Sequence, residues 1–342
     1  MKFYCGIDLS ARDSSLCVID ESLSIILRQK VRNELPRIIH LLEPFKPNIK
    51  IVVESTFNWY WLIDGLQTAG FEVHLAHSLG LAMITAAKVK TDARDAFTLA
   101  KLLLAGLIPK AYIYPAQSRP VRDLLRRRRL LVQLRAREYG SLRHLLLREG
   151  ILSSSRNGIK QATEEELQQW LNHPLVQLHA TQQLERIKLF SVQIDKLEDA
   201  ILQIAQFEPS YYKLLEISGI GKTLALTILY EVGEITRFEN VRRFCSYCRL
   251  IPGVAQSGEV NRRGRGSKQG NHYLKSAFSQ AAVAAVRCYP KIRRCYERHL
   301  KNRRGSAGKL IALNIIAHKL AQAVYFVLKR QTDFRPELLF GS

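Results

Sequence analysis

A chain of 342 residues that is 47% apolar is long enough for two or three domains and apolar enough to give them cores, which excludes an intrinsically disordered polymer. Its 52 lysines and arginines against 30 aspartates and glutamates leave a net charge of +22. A compact state carries that self-repulsion at a cost, so the charge points to a polyanionic partner, with nucleic acid ahead of an anionic membrane.

In chain order, residues 2–9 read as a strand, and 15–20 and 24–31 as two more that can form a meander. Residues 35–42 have helical periodicity. Residues 50–54 are a short buried strand behind the turn-prone Pro47 and Asn48. Residues 59–69 form a helix that Gly70 can cap. A strand over 71–76 follows, then a helix over 93–105 stopped by Gly106 and Pro109. Three consecutive strands followed by alternating helix and strand predict a mixed sheet with helices packed on it, an α/β domain over residues 1–112.

Strands then give way to helix. Residues 119–148 form a long basic helix that contains Arg126, Arg127, Arg128 and Arg129. Leu124, Leu125, Leu131, Leu134, Leu142 and Leu145 make its apolar stripe. Residues 153–161, polar and with Gly158, read as a flexible break. A second long helix over 175–206 spaces apolar residues at Leu184, Ile187, Ile194, Leu197, Ile201 and Ile204. The two helices can form an antiparallel coiled coil, or one can pair with another subunit. This helical insertion spans 113–207. The arginine run is one-signed with few acids beside it, which favours nucleic-acid contact over a merely solvated face.

Residues 208–335 read as a third, mainly helical domain interrupted by a glycine-rich basic loop between Val254 and Asn271. Six cysteines in a chain of this length do not make a disulfide scaffold. Cys245 and Cys248 form a CxxC pair without a second such pair, although Cys288 and Cys295 are distant candidates, and small core residues on a helix are the favoured reading over a zinc site. Asp8 interrupts the N-terminal apolar run too early for a signal peptide. Residues 312–328, with His318, Lys319 and Gln322, suit a buried helix better than a bilayer span, so a bacterial cytoplasmic protein is expected.

Three constellations carry chemistry. Asp8 and Glu54 each close an apolar strand. If those strands are neighbours, both carboxylates emerge at one sheet edge. Asp92 and Asp95, three apart at a helix start, project from one face. Carboxylate oxygens suit hard cations such as Mg²⁺, and a pair of such ions can assist phosphoryl transfer. Acids at strand ends and helix starts are individually common; the order strand–Asp, strand–Glu, helix–Asp-x-x-Asp is the more specific signal and is that of RNase H-like nucleases. Gly219-Ile220-Gly221-Lys222 between two apolar segments reads equally as a helix-hairpin-helix turn that offers amides to a phosphate or as a plain helix–helix turn. Ser257-Gly258 opens a cationic segment with Arg262, Arg263, Arg265, Lys268 and Asn271, suited to phosphate backbones.

Together these pieces resemble the DEDD-type insertion-sequence transposases, the IS one-ten family, which also includes Piv-type DNA invertases. The resemblance runs nearly end to end. It rests on Gly6-Ile7-Asp8, Val53-Glu54 and Thr91-Asp92-Ala93-Arg94-Asp95, then on Gly219-Ile220-Gly221, Arg237-Phe238, Pro252-Gly253, Ser257-Gly258, Lys268-x-Gly270-Asn271 and the helix around Lys309. It implies a RuvC-like domain, a coiled-coil insertion and a C-terminal transposase domain. It also implies a metal centre of Asp8, Glu54, Asp92 and Asp95 that takes Mg²⁺, with Mn²⁺ as substitute, and catalysis by Ser257 through a covalent bond to a DNA phosphate. The implied partners are donor and target DNA, a structured noncoding bridge RNA that pairs with both, and further copies of the chain, as a homodimer or homotetramer in which one subunit's serine completes another's metal site. Three other readings stand beside it: a RuvC-like metal-dependent junction resolvase or nuclease that uses water, a Piv-type site-specific invertase, and a nucleic-acid-binding protein with a degenerate catalytic fold.

Overall fold

The computed structural model describes residues 1–84, 92–151, 156–205, 209–251, 253–257, 260–264, 269–301 and 305–340, with backbone alone at 92–93, 156–157, 160, 205, 253–257 and 260–264. The chain divides into two compact units, Met1–Gln117 and Ser118–Ser342.

The first unit is a six-stranded mixed sheet in the order β3-β2-β1-β4-β5-β6. Its strands are β1 (Phe3–Leu9), β2 (Asp13–Ile19), β3 (Ile25–Arg32), β4 (Ile49–Glu54), β5 (Glu72–Ala76) and the two-residue β6 (Lys110–Ala111). Its helices are α1 (Leu35–Leu42), α2 (Tyr60–Thr68), α3 (Ser78–Ile84) and α4 (Asp92–Leu104). The meander β1-β2-β3 is antiparallel, β4 and β5 join it in parallel with β1, and β6 runs antiparallel on the far edge. The period-2 alternation of the strands sorts the residues into two layers. Cys5, Ile7, Leu9, Ile51, Val53 and Leu75 pack against Ile38, Leu42, Leu62 and Leu66 of α1 and α2. On the opposite face Val52 and Ala76 meet Leu99 and Leu103, while Cys17 and Ile19 meet Ala96 and Ala100 of α4.

Among its described residues the second unit is helical apart from one hairpin. It comprises α5 (Arg119–Arg148), α6 (Arg156–Gln161), α7 (Glu164–Trp170), α8 (Pro174–Ala205), α9 (Pro209–Leu215), α10 (Lys222–Val232), α11 (Val241–Tyr247), the hairpin β7 (Gly253–Ser257) and β8 (Val260–Gly264), then α12 (His272–Cys288), α13 (Pro290–Leu300), α14 (Gly305–Arg330) and α15 (Glu337–Phe340). The long helices α5 and α8 run antiparallel, with polar rungs that fix their register. Arg128 Nε donates to Glu198 at 2.7 Å, Arg135 Nη1 to Ser191 Oγ at 3.0 Å, Arg186 Nη2 to Glu138 at 3.2 Å and Gln183 Nε2 to Ser141 Oγ at 2.6 Å. Leu142, Leu145 and Leu146 meet Leu184 and Ile187 at the outer end of the pair. At the inner end Val121, Leu125 and Ile201 belong to the core of the following helices, with Phe244, Phe278 and Leu320. The membrane-length helix α14 buries Ile316, Leu320 and Val324 in that same core.

Two expectations need correction. The expected flexible break over 153–161 contains α6, because Ile159 is buried against the α5–α8 pair and holds the segment helical. The expected basic loop over 254–271 contains an antiparallel hairpin with Gly253 paired to Gly264 and Ser257 to Val260. Ladder hydrogen bonds supply the order that side-chain alternation did not announce.

Candidate active site and nucleic-acid interface

The register of β1 on β4 runs from Phe3 beside Ile49 to Ile7 beside Val53, and its next step sets Asp8 beside Glu54. Ile7, Leu9 and Val53 face α1 and α2, whereas Gly6 and Val52 face α4, so alternation turns both carboxylates to the α4 side. Gly6 brings that helix close. A β-carbon there would stand 2.1 Å from the Ala96 carbonyl oxygen and 2.7 Å from the Ala100 nitrogen. This contact seats the first turns of α4 on β1. Asp95, the residue before Ala96, lines a small cleft with Glu54, and Ser78 and Thr98 add hydroxyls. Three of the four acids thus share one region of one sheet face. Asp92 begins α4, and its side chain lies outside the described residues.

The strand ends that carry Asp8 and Glu54 are tied together. The Ser10 carbonyl accepts Asn33 Nδ2 and Asn58 Nδ2, each at 3.0 Å. Asn58 Oδ1 in turn accepts Thr56 Oγ1 at 3.0 Å, and Asn33 Oδ1 accepts Ser14 Oγ at 2.6 Å. Sequence reasoning missed Asn33, Asn58 and Ser78, whose only signal was the turn propensity of asparagine and serine.

Among the described residues no three His, Cys, Asp or Glu side chains form a ready-made metal cluster. The available donors at the acid face are carboxylates and hydroxyls, hard oxygen ligands that suit a Mg²⁺-like ion better than a soft metal.

In the helical unit Ser257 closes β7, and Arg262 and Arg263 lie in β8. The side chains of these three, and the whole of Arg265 and Lys268, lie outside the described residues. The hairpin's two stems are clasped at their base. Arg249, at φ +56°, donates Nε to the Gly270 carbonyl at 2.8 Å, and the Asn271 backbone N–H donates to the Tyr247 carbonyl at 2.6 Å. Gly270 has φ +97°, and a β-carbon there would lie 2.5 Å from that same Tyr247 oxygen.

Asn271 and the arginine run converge on a residue that sequence reasoning overlooked. Glu231, 2% exposed, accepts Arg126 Nε at 2.6 Å, Arg126 Nη2 at 2.8 Å and Asn271 Nδ2 at 2.7 Å. Asn271 Oδ1 caps α12 by accepting the N–H groups of Tyr273 and Leu274. The Arg126 guanidinium lies 4.4 Å from the Tyr273 ring centre and that of Arg129 5.2 Å. Burial works against the Arg126 charge, but the hydrogen bonds and charge of Glu231 outweigh it and hold its pKa above the usual value. Arg129 Nε also reaches Ser276 Oγ at 3.3 Å. With Arg128 on Glu198, three of the four arginines have internal partners, while Arg127 is exposed.

Gly219, at φ +89°, sits so close to α12 that a β-carbon would meet the Ala281 carbonyl at 2.4 Å. Packing therefore accounts for it. Gly221 and Lys222 at the start of α10 are exposed, with open space where a Gly221 β-carbon would be. Cys245 and Cys248 are buried in the apolar core, and burial pushes the Cys245 thiol up to about 12 and Cys248 well above its usual value.

Two family models match this sequence. The DEDD-type IS110 model, described as a transposase, matches residues 5–150, and the transposase IS116/IS110/IS902 family model matches residues 211–297. Both models describe transposases of the IS110 type, and the chain is similar to that family over both segments. The first match contains all four acids, and the second contains Ser257, Glu231 and Asn271. A probable family 20 transposase of Pseudomonas aeruginosa is 23% identical over 340 residues, 97% of this chain and 98% of that protein. A transposase relative from Sinorhizobium fredii is 26% identical over 202 residues, 57% of this chain and 48% of its own length. The pilin gene-inverting protein of Moraxella lacunata is 27% identical over 156 residues, 44% of this chain and 48% of that protein. The matched part spans about half the length of the last two relatives.

Proposed function

We propose that this chain is a transposase that cleaves and rejoins DNA at a RuvC-like, RNase H-like acid face, with Ser257 as the nucleophile. The single observation that carries the first half is the parallel pairing of β1 with β4, which sets Asp8 beside Glu54, with Asp95 and Glu54 lining one cleft. Asp8, Glu54, Asp92 and Asp95 would hold Mg²⁺, or Mn²⁺ in its place. A bound divalent ion supplies positive charge at phosphoryl oxygens. Ser257 rests on its position within the matched C-terminal segment and on its place at the end of β7.

In this reading Ser257 Oγ forms an ester with the scissile phosphate as the deoxyribose oxygen departs and takes up a proton. Attack on that ester by a hydroxyl of another strand releases the serine and forms the new phosphodiester, so the bond energy is retained for rejoining. Donor and target DNA would be aligned by a structured bridge RNA on the basic surface, within a dimer or tetramer in the bacterial cytoplasm. The likeness to a pilin gene-inverting protein supports inversion as the alternative outcome of the same chemistry.

The test has two arms. RNA that copurifies with the protein is sequenced, and a discrete structured species is expected. Strand exchange is then assayed in Mg²⁺ on DNA that the RNA specifies. Asp8→Asn, Glu54→Gln and Ser257→Ala should each lose at least about 1,000-fold, and a covalent protein–DNA adduct should form with wild type and not with Ser257→Ala. Cleavage without an adduct would replace serine by water and make the chain a nuclease.

A further inference from the structure

Phe57 is 84% exposed, the most exposed large apolar side chain among the described residues, and no other Phe or Trp among them is classed as exposed. A lone exposed apolar residue is ordinary. Three observations make this one different. It stands three residues after Glu54, on the loop that leaves the carboxylate end of β4. The loop is held on both sides of it: Ser55 N–H bonds the Ala76 carbonyl at 3.0 Å, Thr56 Oγ1 bonds Asn58, and Asn58 Nδ2 bonds Ser10, two residues after Asp8. Its neighbours along the loop, Ser55, Thr56 and Asn58, are polar, so the ring is the one apolar side chain between Glu54 and Trp59. A protein interface would call for a wider apolar area, whereas a nucleobase presents an apolar face the size of the ring.

We propose that Phe57 stacks on a nucleobase unstacked from the DNA strand that enters the acid face, and so holds that strand open for reaction. The inference rests on the reading of Asp8, Glu54 and Asp95 as a DNA-processing site. In a duplex every base face is covered by its neighbours. A phosphate reached at the end of two strands is best presented when the flanking base has left the stack, and an aromatic ring on a tethered loop replaces the lost neighbour. Base–aromatic stacking is sequence-tolerant and changes affinity by roughly 5- to 150-fold per base.

The experiment uses the full chain with Ca²⁺ in place of Mg²⁺ and three probes of one sequence: a 30-base-pair duplex with a six-nucleotide unpaired centre carrying 2-aminopurine, the fully paired duplex, and the corresponding single-stranded RNA. Phe57→Ala should weaken binding of the unpaired-centre DNA about tenfold, leave the paired duplex within about twofold, and restore the 2-aminopurine fluorescence that stacking quenches. Phe57→Trp should recover both affinity and quenching. Unchanged affinity, an equal loss on both duplexes, or a loss confined to the RNA would overturn the proposal. Glu54→Gln is assayed alongside in Mg²⁺. Wild-type cleavage by that variant would sink the acid-site reading whatever Phe57 does, and a silent Phe57→Ala beside an inactive Glu54→Gln would sink the stacking contact alone. The exposed ring makes few contacts, so the thermal midpoint of Phe57→Ala should match wild type.

Discussion

In the sheet unit, acids stand at strand ends with apolar residues behind them and hydroxyls and amides beside them. In the helical unit, three of four consecutive arginines turn inward to Glu231, Glu198 and Ser276. The first arrangement spends its hydrogen bonds on positioning the backbone that carries the acids. The second spends charge on holding helices together. The length of the arginine run therefore overstates the cations it offers a nucleic acid, because a guanidinium held by a carboxylate of its own chain is already neutralised.

Removing the buried partner should have the largest effect on stability. Glu231→Ala leaves Arg126 and Asn271 without their shared acceptor and is expected to destabilise the helical unit by about 3–5 kcal/mol, read by chemical denaturation. A loss under 1 kcal/mol would mean that the arginine is solvated after all. Next, Gly6→Ala forces α4 off β1 at a cost of about 1–3 kcal/mol, and because Asp95 moves with the helix, strand cleavage should fall further than stability does. Equal cleavage by this variant would break the link between the glycine and the site. A smaller change is expected at Arg127, the exposed member of the run. Arg127→Ala should leave the melting point unaltered and reduce the slope of log affinity against log salt by about 0.9, whereas Arg128→Ala should cost up to about 1 kcal/mol of stability and leave the slope alone.

The smallest effect concerns pH. Burial, then Lys319, lowers the pKa of His318; burial, then Arg129, Arg249 and Arg126, lowers that of His272. The unfolded chain therefore takes up these protons first as pH falls. Their contribution is full above the ordinary histidine value of 6.5 and is lost as pH drops through the lower folded values. The melting point should fall between pH 7.5 and pH 5.5, and His318→Gln should fall less.

Much of the sheet unit was legible because its signals are local. The helical periodicity of α1, Gly70 after α2 and the short apolar runs of β1 and β4 mark elements within a few residues of where they lie. The acid face was legible only up to a condition, since the neighbourhood of β1 and β4 is a pairing across 46 positions. α3 escaped because it is short and leaves Leu79, Met83 and Ile84 exposed, so no apolar stripe marks it. The hairpin escaped because arginine and glycine replace the alternation by which strands are recognised. The sign of the arginine run was plain, but its partners lie 70 to 147 residues away along the chain, and no local pattern reports them.

The clasp beneath the hairpin has a consequence for how this chain can vary. Tyr247 and Asn271 are already in contact, so the ends of the intervening segment are fixed by bonds that do not depend on its length. Doubling such a segment adds only about 0.6 kcal/mol of closure entropy. Insertions or deletions in the hairpin beyond the core residues Cys248 and Leu250 should therefore be tolerated by the helices at its base, which makes the stretch that carries Ser257 a place where reach can change on an unchanged scaffold.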